Sequence, residues 1–319
     1  MTKKDNKSAQ KEARHLDDFS VKQPASINSV SKYYGEALLS AARCDNSILA
    51  LSADLTAPTE TDLIRDHLPK QFIMAGIAEA NMVGVGAGLA RIGFIPFVHS
   101  FAVFLSRRSF DQIAMQVAYP KTNVKLVGFM PGIDSLLGVS HQAIDDIALM
   151  RALPNMTVIE PAGPADYEDA VKAALAHHGP VYLRLYRANS HAPNLSSFPP
   201  LGVGKIRQLS SGEDVVIFAT GLMVEIALQA SKKLKKDSIN ATVVDCASIK
   251  PLDVEGILRL VSQCKIIVTA ENHTIVGGLG SAIAEVIASN NIARPFFRIG
   301  VQDCFAEGGS RDFLFQKYG

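Results

Sequence analysis

The run Ala75-Gly76-Ile77-Ala78-Glu79-Ala80-Asn81-Met82-Val83-Gly84-Val85-Gly86-Ala87-Gly88-Leu89-Ala90 is apolar and glycine-rich, and Glu79 is its one ionisable residue. Phe94-Ile95-Pro96-Phe97-Val98 follows with the composition of a strand. Outward from this pair, helix-like and strand-like stretches alternate. Helical pattern over 29–42 leads into the apolar strand Ile48-Leu49-Ala50-Leu51. Strand candidates recur at 94–98, 124–129, 157–160 and 181–185, separated by helix-like 142–153 and 166–177. Such alternation specifies a parallel sheet with helices on its faces. The stretch Asn189 to Gly202, with its serines, asparagines and prolines, breaks the pattern, and strands at 215–219, 241–244 and 266–270 then alternate with helices at 224–234, 254–262 and 281–289. The expected fold is therefore α/β, with two consecutive domains, each a mainly parallel sheet flanked by helices. The expected division is a polar tail at 1–26, a first domain at 27–188, a linker at 189–205 and a second domain at 206–319.

Composition narrows the function. The chain has 319 residues, 48% hydrophobic and 20% charged, with a formal net charge of +1. That is enough apolar material for two cores, and the near-neutral charge leaves no electrostatic footprint for nucleic acid or an anionic membrane surface. Cys44, Cys246, Cys264 and Cys304 form no close pairs, which argues against a zinc site or a disulfide framework and fits a reducing cytoplasm. The N-terminus, rich in Lys, Asp and Gln, lacks the apolar core of a signal peptide. The most apolar region, Met82 to Leu105, is interrupted by Arg91, Pro96 and His99 and does not read as a membrane span.

Glu79 needs a partner, because an unpaired buried carboxylate costs several kcal/mol or more. Its other reading is a first-turn acid favouring a helix N-terminus. Three further motifs follow in order: Ser100-Phe101-Ala102-Val103-Phe104, Asp111-Gln112-Ile113 and Gly138-Val139-Ser140-His141-Gln142. With Gly76-Ile77-Ala78-Glu79-Ala80-Asn81-Met82 they resemble the pyrimidine-binding domain of transketolases. The second unit, with Thr269-Ala270-Glu271-Asn272-His273 and Gly277-Gly278-Leu279-Gly280, is similar to the transketolase C-terminal domain. Without the resemblance, that glycine cluster reads as a tight packing turn, since it lacks the GxGxxG spacing of a dinucleotide site.

The resemblance implies thiamine diphosphate as cofactor and transfer of a two-carbon ketol unit from a ketose to an aldehyde. It implies that Glu79 faces the aminopyrimidine nitrogen, that Phe101 and Phe104 form the flat surface beneath the ring with Arg107 one turn on, and that Asp54 lies close to the cofactor. His141 then stands beside the reacting sugar, and Arg187 grips its phosphate, with Arg184 nearby. Read without context, the two phenylalanines are core, Asp54 is a loop-start cap and His141 a surface cap. Two positions depart from the family. Leu137 replaces an acid that reads a sugar hydroxyl, and Phe129 replaces a histidine that helps bind phosphate. Both changes make the expected entrance more apolar and point to a ketose that is branched or lacks a hydroxyl there, such as apulose 4-phosphate.

No Gly-Asp-Gly motif occurs, and the polar stretch before Ile27 is too short to hold the domain that carries it. The chain thus resembles the second half of a split transketolase. This implies a partner subunit holding the diphosphate and Mg2+ or Ca2+, an α2β2 assembly, and no activity for the chain alone. The competing readings are the β subunit of a 2-oxoacid dehydrogenase, a non-catalytic partner subunit and a dinucleotide oxidoreductase.

Overall fold

The computed structural model describes residues 31–187, 193 and 195–318. The expected polar tail and positions 189–192 and 194 of the expected linker lie outside the described residues. The first part of the chain contributes β1 (Ile48–Ser52), β2 (Phe72–Met74), β3 (Ile95–Phe101), β4 (Lys125–Phe129), β5 (Thr157–Ile159) and β6 (Val181–Leu185). The second contributes β7 (Arg207–Gln208), β8 (Val215–Ala219), β9 (Ala241–Asp245), β10 (Ser248–Lys250), β11 (Ile266–Thr274) and β12 (Phe296–Val301). The larger sheet has the order β10-β5-β6-β4-β3-β1-β2, and the smaller the order β12-β11-β8-β9-β7. Pairing is parallel except at β10 against β5 and β7 against β9.

Helices cover both faces of the larger sheet: α1 (Tyr33–Cys44), α2 (Asp62–His67), α3 (Glu79–Arg91), α4 (Ala102–Arg108), α5 (Asp146–Ala152) and α6 (Tyr167–Ala176). Strands β1, β4 and β6 are consequently buried along their whole length, as parallel strands enclosed on both sides must be. One apolar cluster gathers residues of α1 and α6 on one face, and a second gathers those of α3 and α5 on the other. Even Lys125 at the start of β4 is enclosed. Its Nζ donates to Asn123 Oδ1 at 2.7 Å, His177 O at 2.7 Å and Gly179 O at 2.9 Å, and burial lowers its pKa to about 7. The smaller sheet carries α7 (Met223–Leu234), α8 (Val254–Gln263) and α9 (Leu279–Ser289), and α10 (Arg311–Tyr318) closes the described chain.

The two sheets are joined by more than a linker. Strand β10 crosses from the second part to extend the larger sheet. Beside it, fully buried Arg184 on β6 donates from Nε to Asp146 Oδ2 at 2.8 Å and from Nη2 to the backbone oxygen of Asn272 at 2.9 Å. It also pairs with Glu160, which accepts from the Tyr186 hydroxyl at 2.7 Å. A buried cation leaves a large penalty unless every donor is matched. Arg184 meets that condition inside the protein, so it is a structural bolt and is not available to a sugar phosphate.

Candidate functional site

The residues singled out by sequence gather at one edge of the larger sheet, beyond the carboxyl ends of its strands. Asp54 follows β1, Glu79 follows β2, Phe101 ends β3, His141 lies in the loop after β4, and Arg187 follows β6. In open α/β sheets this edge is where ligands bind, because strand ends and helix starts leave a crevice there. Asp54 is exposed on left-handed backbone with φ of 60°. Arg187 is exposed as well.

Glu79 is the first residue of α3, and its side chain is only 4% exposed. Its partner is Arg108, whose Nη1 donates to Glu79 Oε1 at 2.9 Å. The sequence reading placed Arg107 at the cofactor. In the structure Arg107 turns the other way and is held by Asp145, with Nε at 3.0 Å from both carboxylate oxygens and Nη2 at 2.9 Å from Oδ1. Neighbouring helical residues point about 100° apart, so only one of two adjacent arginines on α4 can reach Glu79. The paired arginines at 107 and 108 carried the signal, but not which of them it was.

Three rings meet beside this pair. The Phe101 and Phe104 centroids are 5.8 Å apart, and the His141 ring stands edge-on to both, at 6.3 Å from Phe101 and 5.1 Å from Phe104. The Arg108 guanidinium lies over the Phe104 ring, 4.0 Å from its centre. Ser140 Oγ lies 2.9 Å from His141 Nδ1, which engages that nitrogen and leaves Nε2 without a hydrogen bond among the described residues.

The loop that carries Leu137 and His141 is braced by the second part of the chain. Gln142 Nε2 donates to the backbone oxygen of Glu307 at 3.1 Å, and Arg311 Nη2 to Asp134 Oδ2 at 2.6 Å. Gly138, on left-handed backbone with φ of 74°, lies against the Gly308 backbone. Leu137 is 62% exposed, flanked by exposed Leu136 and Val139. Phe129 corrects the sequence reading. It is fully buried and edge-on to Tyr34 at 5.4 Å, so it packs the core beneath the site and does not line an entrance. Two buried groups that the sequence reading passed over support this floor. His99 Nδ1 donates to the Leu51 backbone oxygen at 3.0 Å while Nε2 accepts from the Tyr34 hydroxyl at 2.7 Å, and burial lowers its pKa to about 4. Glu60 accepts from the Gly35 N–H at 2.9 Å, and burial raises its pKa.

The glycine cluster in the second part is a packing turn. Glu271 Oε2 accepts from Leu279 N–H at 2.7 Å and Oε1 from Gly280 N–H at 2.8 Å. The start of α9 is thereby filled by the protein's own carboxylate, which burial pushes up to about 7 against the pull of those two bonds. Among the described residues, no group of three or more His, Cys, Asp or Glu is placed to hold a metal ion, and no helix is long and apolar enough to cross a membrane.

Comparison with known proteins decides the family. Residues 28–192 match the pyrimidine binding domain of transketolase, and residues 204–319 match the transketolase C-terminal domain. This chain belongs to the transketolase family. It is 44% identical over 287 residues to a 6-deoxy-6-sulfo-D-fructose transketolase subunit, SqwH, of Clostridium sp. (strain MSTE9), covering 90% of this chain and 88% of that protein. It is 41% identical over 303 residues to a putative transketolase C-terminal section of Methanocaldococcus jannaschii, covering 94% of each. A solved split-gene transketolase, described as an inactive beta4 tetramer, matches with a TM-score of 0.82 and 41% identity over 90% of this chain and 92% of that one. The chain is thus the C-terminal half of a split transketolase, built from the pyrimidine-binding and C-terminal domains.

Proposed function

We propose that this subunit supplies the aminopyrimidine and sugar-binding side of a thiamine diphosphate site, and that a separate subunit completes it. The observation that carries this reading is a buried carboxylate, Glu79, opening a helix beside a cluster of Phe101, Phe104 and His141. An aminopyrimidine asks for a flat apolar surface and a carboxylate able to share a proton with a ring nitrogen, and these side chains fit both needs. When bound, the cofactor supplies the nucleophilic carbon that carries a two-carbon ketol unit between sugars.

The chain's own residues have distinct tasks in this scheme. Glu79 holds a proton against the pyrimidine nitrogen, and Phe101 and Phe104 orient the ring. His141 is steadied through Nδ1 and offers Nε2 as a donor where negative charge develops on a sugar oxygen. Arg187 meets the anionic end of the ketose in a bidentate fashion. Asp54 lies on the cofactor side of the crevice, and Arg107, through Asp145, positions the helix that carries Phe104. Leu137 presents an apolar wall to the sugar, which favours a donor that is branched or lacks a hydroxyl there. Apulose 4-phosphate fits this description. A sulfonated ketose, the substrate class named for the Clostridium subunit, is the other candidate donor.

Partner dependence is supported by the surface around α3. Ile77, Val85, Ile92, Met115 and Tyr119 are exposed large apolar residues before, on and just after α3, and on and just after the π-helical turn Ile113–Ala118 packed against it. Apolar patches of this kind are usually covered in an assembly. The solved split-gene neighbour is described as an inactive beta4 tetramer. We therefore propose an α2β2 enzyme, working in the cytoplasm, whose other subunit holds the diphosphate and its Mg2+ or Ca2+. Calorimetric titration of thiamine diphosphate with Mg2+ into the purified chain and into the chain with its partner tests this. Binding only to the assembled protein is expected, and micromolar binding to the single chain overturns it.

A further inference from the structure

Arg108 makes both of the contacts that the aminopyrimidine is proposed to make. Its guanidinium is stacked on the Phe104 ring at 4.0 Å and donates an N–H to Glu79 Oε1 at 2.9 Å. A guanidinium is planar, stacks on aromatic faces and carries its donors in its own plane. It therefore resembles, in shape and in hydrogen bonding, the edge and face of a protonated aminopyrimidine. The same carboxylate oxygen and the same ring surface cannot serve both.

The two partners differ in exposure. The Glu79 side chain is 4% exposed and the Arg108 side chain 49% exposed, so the cation can leave for water while the carboxylate cannot follow. The adjacent Arg107 is held by two nitrogens on Asp145. One arginine is anchored and its neighbour is free to exchange. A fold that buries a carboxylate for a ligand must also survive before that ligand arrives, and a buried charge without a partner is strongly unfavourable.

We infer that Arg108 is a placeholder for the aminopyrimidine: it neutralises Glu79 and covers Phe104 in the cofactor-free subunit, and swings into solvent when the ring binds. This rests on the reading of Glu79 and Phe104 given under Proposed function. Its consequence is quantitative. Cofactor must displace Arg108, so the apparent affinity is reduced by the small fraction of molecules in which the site is open, and removing the placeholder restores it. A residue that merely supports the site has the opposite effect, because its loss weakens binding.

The test is calorimetric titration of thiamine diphosphate, with Mg2+, into the assembled two-subunit protein carrying wild-type chain, Arg108→Ala, Arg108→Gln or Glu79→Gln. Arg108→Ala is expected to bind about tenfold more tightly than wild type, from the open fraction it restores. Its cofactor-free form should melt at lower temperature, so the rise in melting temperature on adding cofactor becomes larger. Arg108→Gln keeps a donor to Glu79 without the flat cation, and gives the same direction if the alanine variant does not fold. Unchanged or weaker binding in the folded variants overturns the placeholder. If Glu79→Gln binds cofactor and turns over like wild type, the reading of the site itself fails. If Glu79→Gln loses turnover while the Arg108 variants show no gain in affinity, only the placeholder fails.

Discussion

The carboxylates of Glu79 and Glu271 both lie at the start of a helix, yet they find partners in different ways. Glu271 is bound by the backbone N–H groups of Leu279 and Gly280, which cannot move without unwinding α9. Glu79 is bound by a half-exposed side chain on another helix. A carboxylate satisfied by backbone is part of the scaffold. One satisfied by a mobile side chain can be handed to a ligand, and the difference separates a packing turn from a candidate active site more sharply than either motif does in sequence.

The strongest way to break this contrast is Glu79→Gln. An amide cannot hold the proton the pyrimidine nitrogen requires, so turnover of the assembled enzyme should fall by roughly 10²- to 10⁴-fold, the usual worth of a positioned acid or base, while circular dichroism and cofactor binding show an intact fold. Near-normal turnover with cofactor bound would remove Glu79 from the chemistry.

A second test concerns protons held by the scaffold. His99 is neutral in the fold, with its pKa lowered by burial to about 4, below the ordinary value near 6.5. The stability that depends on its neutral form is complete above about pH 6.5 and drains as pH falls toward 4, by on the order of 3 kcal/mol at most. His273, also lowered to about 4, adds a slope of the same sign. Urea unfolding midpoints at pH 7 and pH 4.5 should differ less in His99→Gln than in wild type, and an equal difference would show that His99 does not report this penalty.

Gly278→Ala sharpens the scaffold side. A Cβ there would collide with Glu271 Oε2 and crowd His273 Nδ1, and overpacking of this kind costs about 1–3 kcal/mol. The melting temperature should fall while turnover per folded, assembled molecule is retained. Loss of turnover without loss of stability would give the second part a direct role in the site.

The last test concerns Leu137, in the exposed loop beside His141. Leu137→Asp restores an acceptor for a sugar hydroxyl. At roughly 1.5–3 kcal/mol for a charged hydrogen bond, it should raise kcat/KM on ordinary pentose phosphates by about ten- to a hundredfold and lower it on the native donor. Steady-state kinetics with both donors decides it. Parallel losses on both would mean that the loop, and not the sugar, responds to this position.

Sequence alone determined the α/β alternation, because apolar runs of strand and helix length leave few ways to bury themselves. Through the family resemblance it also grouped Glu79, Phe101, Phe104 and His141. They lie at the carboxyl ends of three strands of one parallel sheet, β2, β3 and β4, so chain direction brings them to the same edge. The tertiary structure decided what depends on direction in space. Period-two alternation does not mark the inward face of a strand buried on both sides, and Phe129 accordingly proved to be core. The three-residue strand β10 is too short to announce that it leaves its own domain for the edge of the larger sheet. Arg107 and Arg108 are equivalent in composition, but α4 turns through about 100° between them, and that rotation alone gives Asp145 to one and Glu79 to the other.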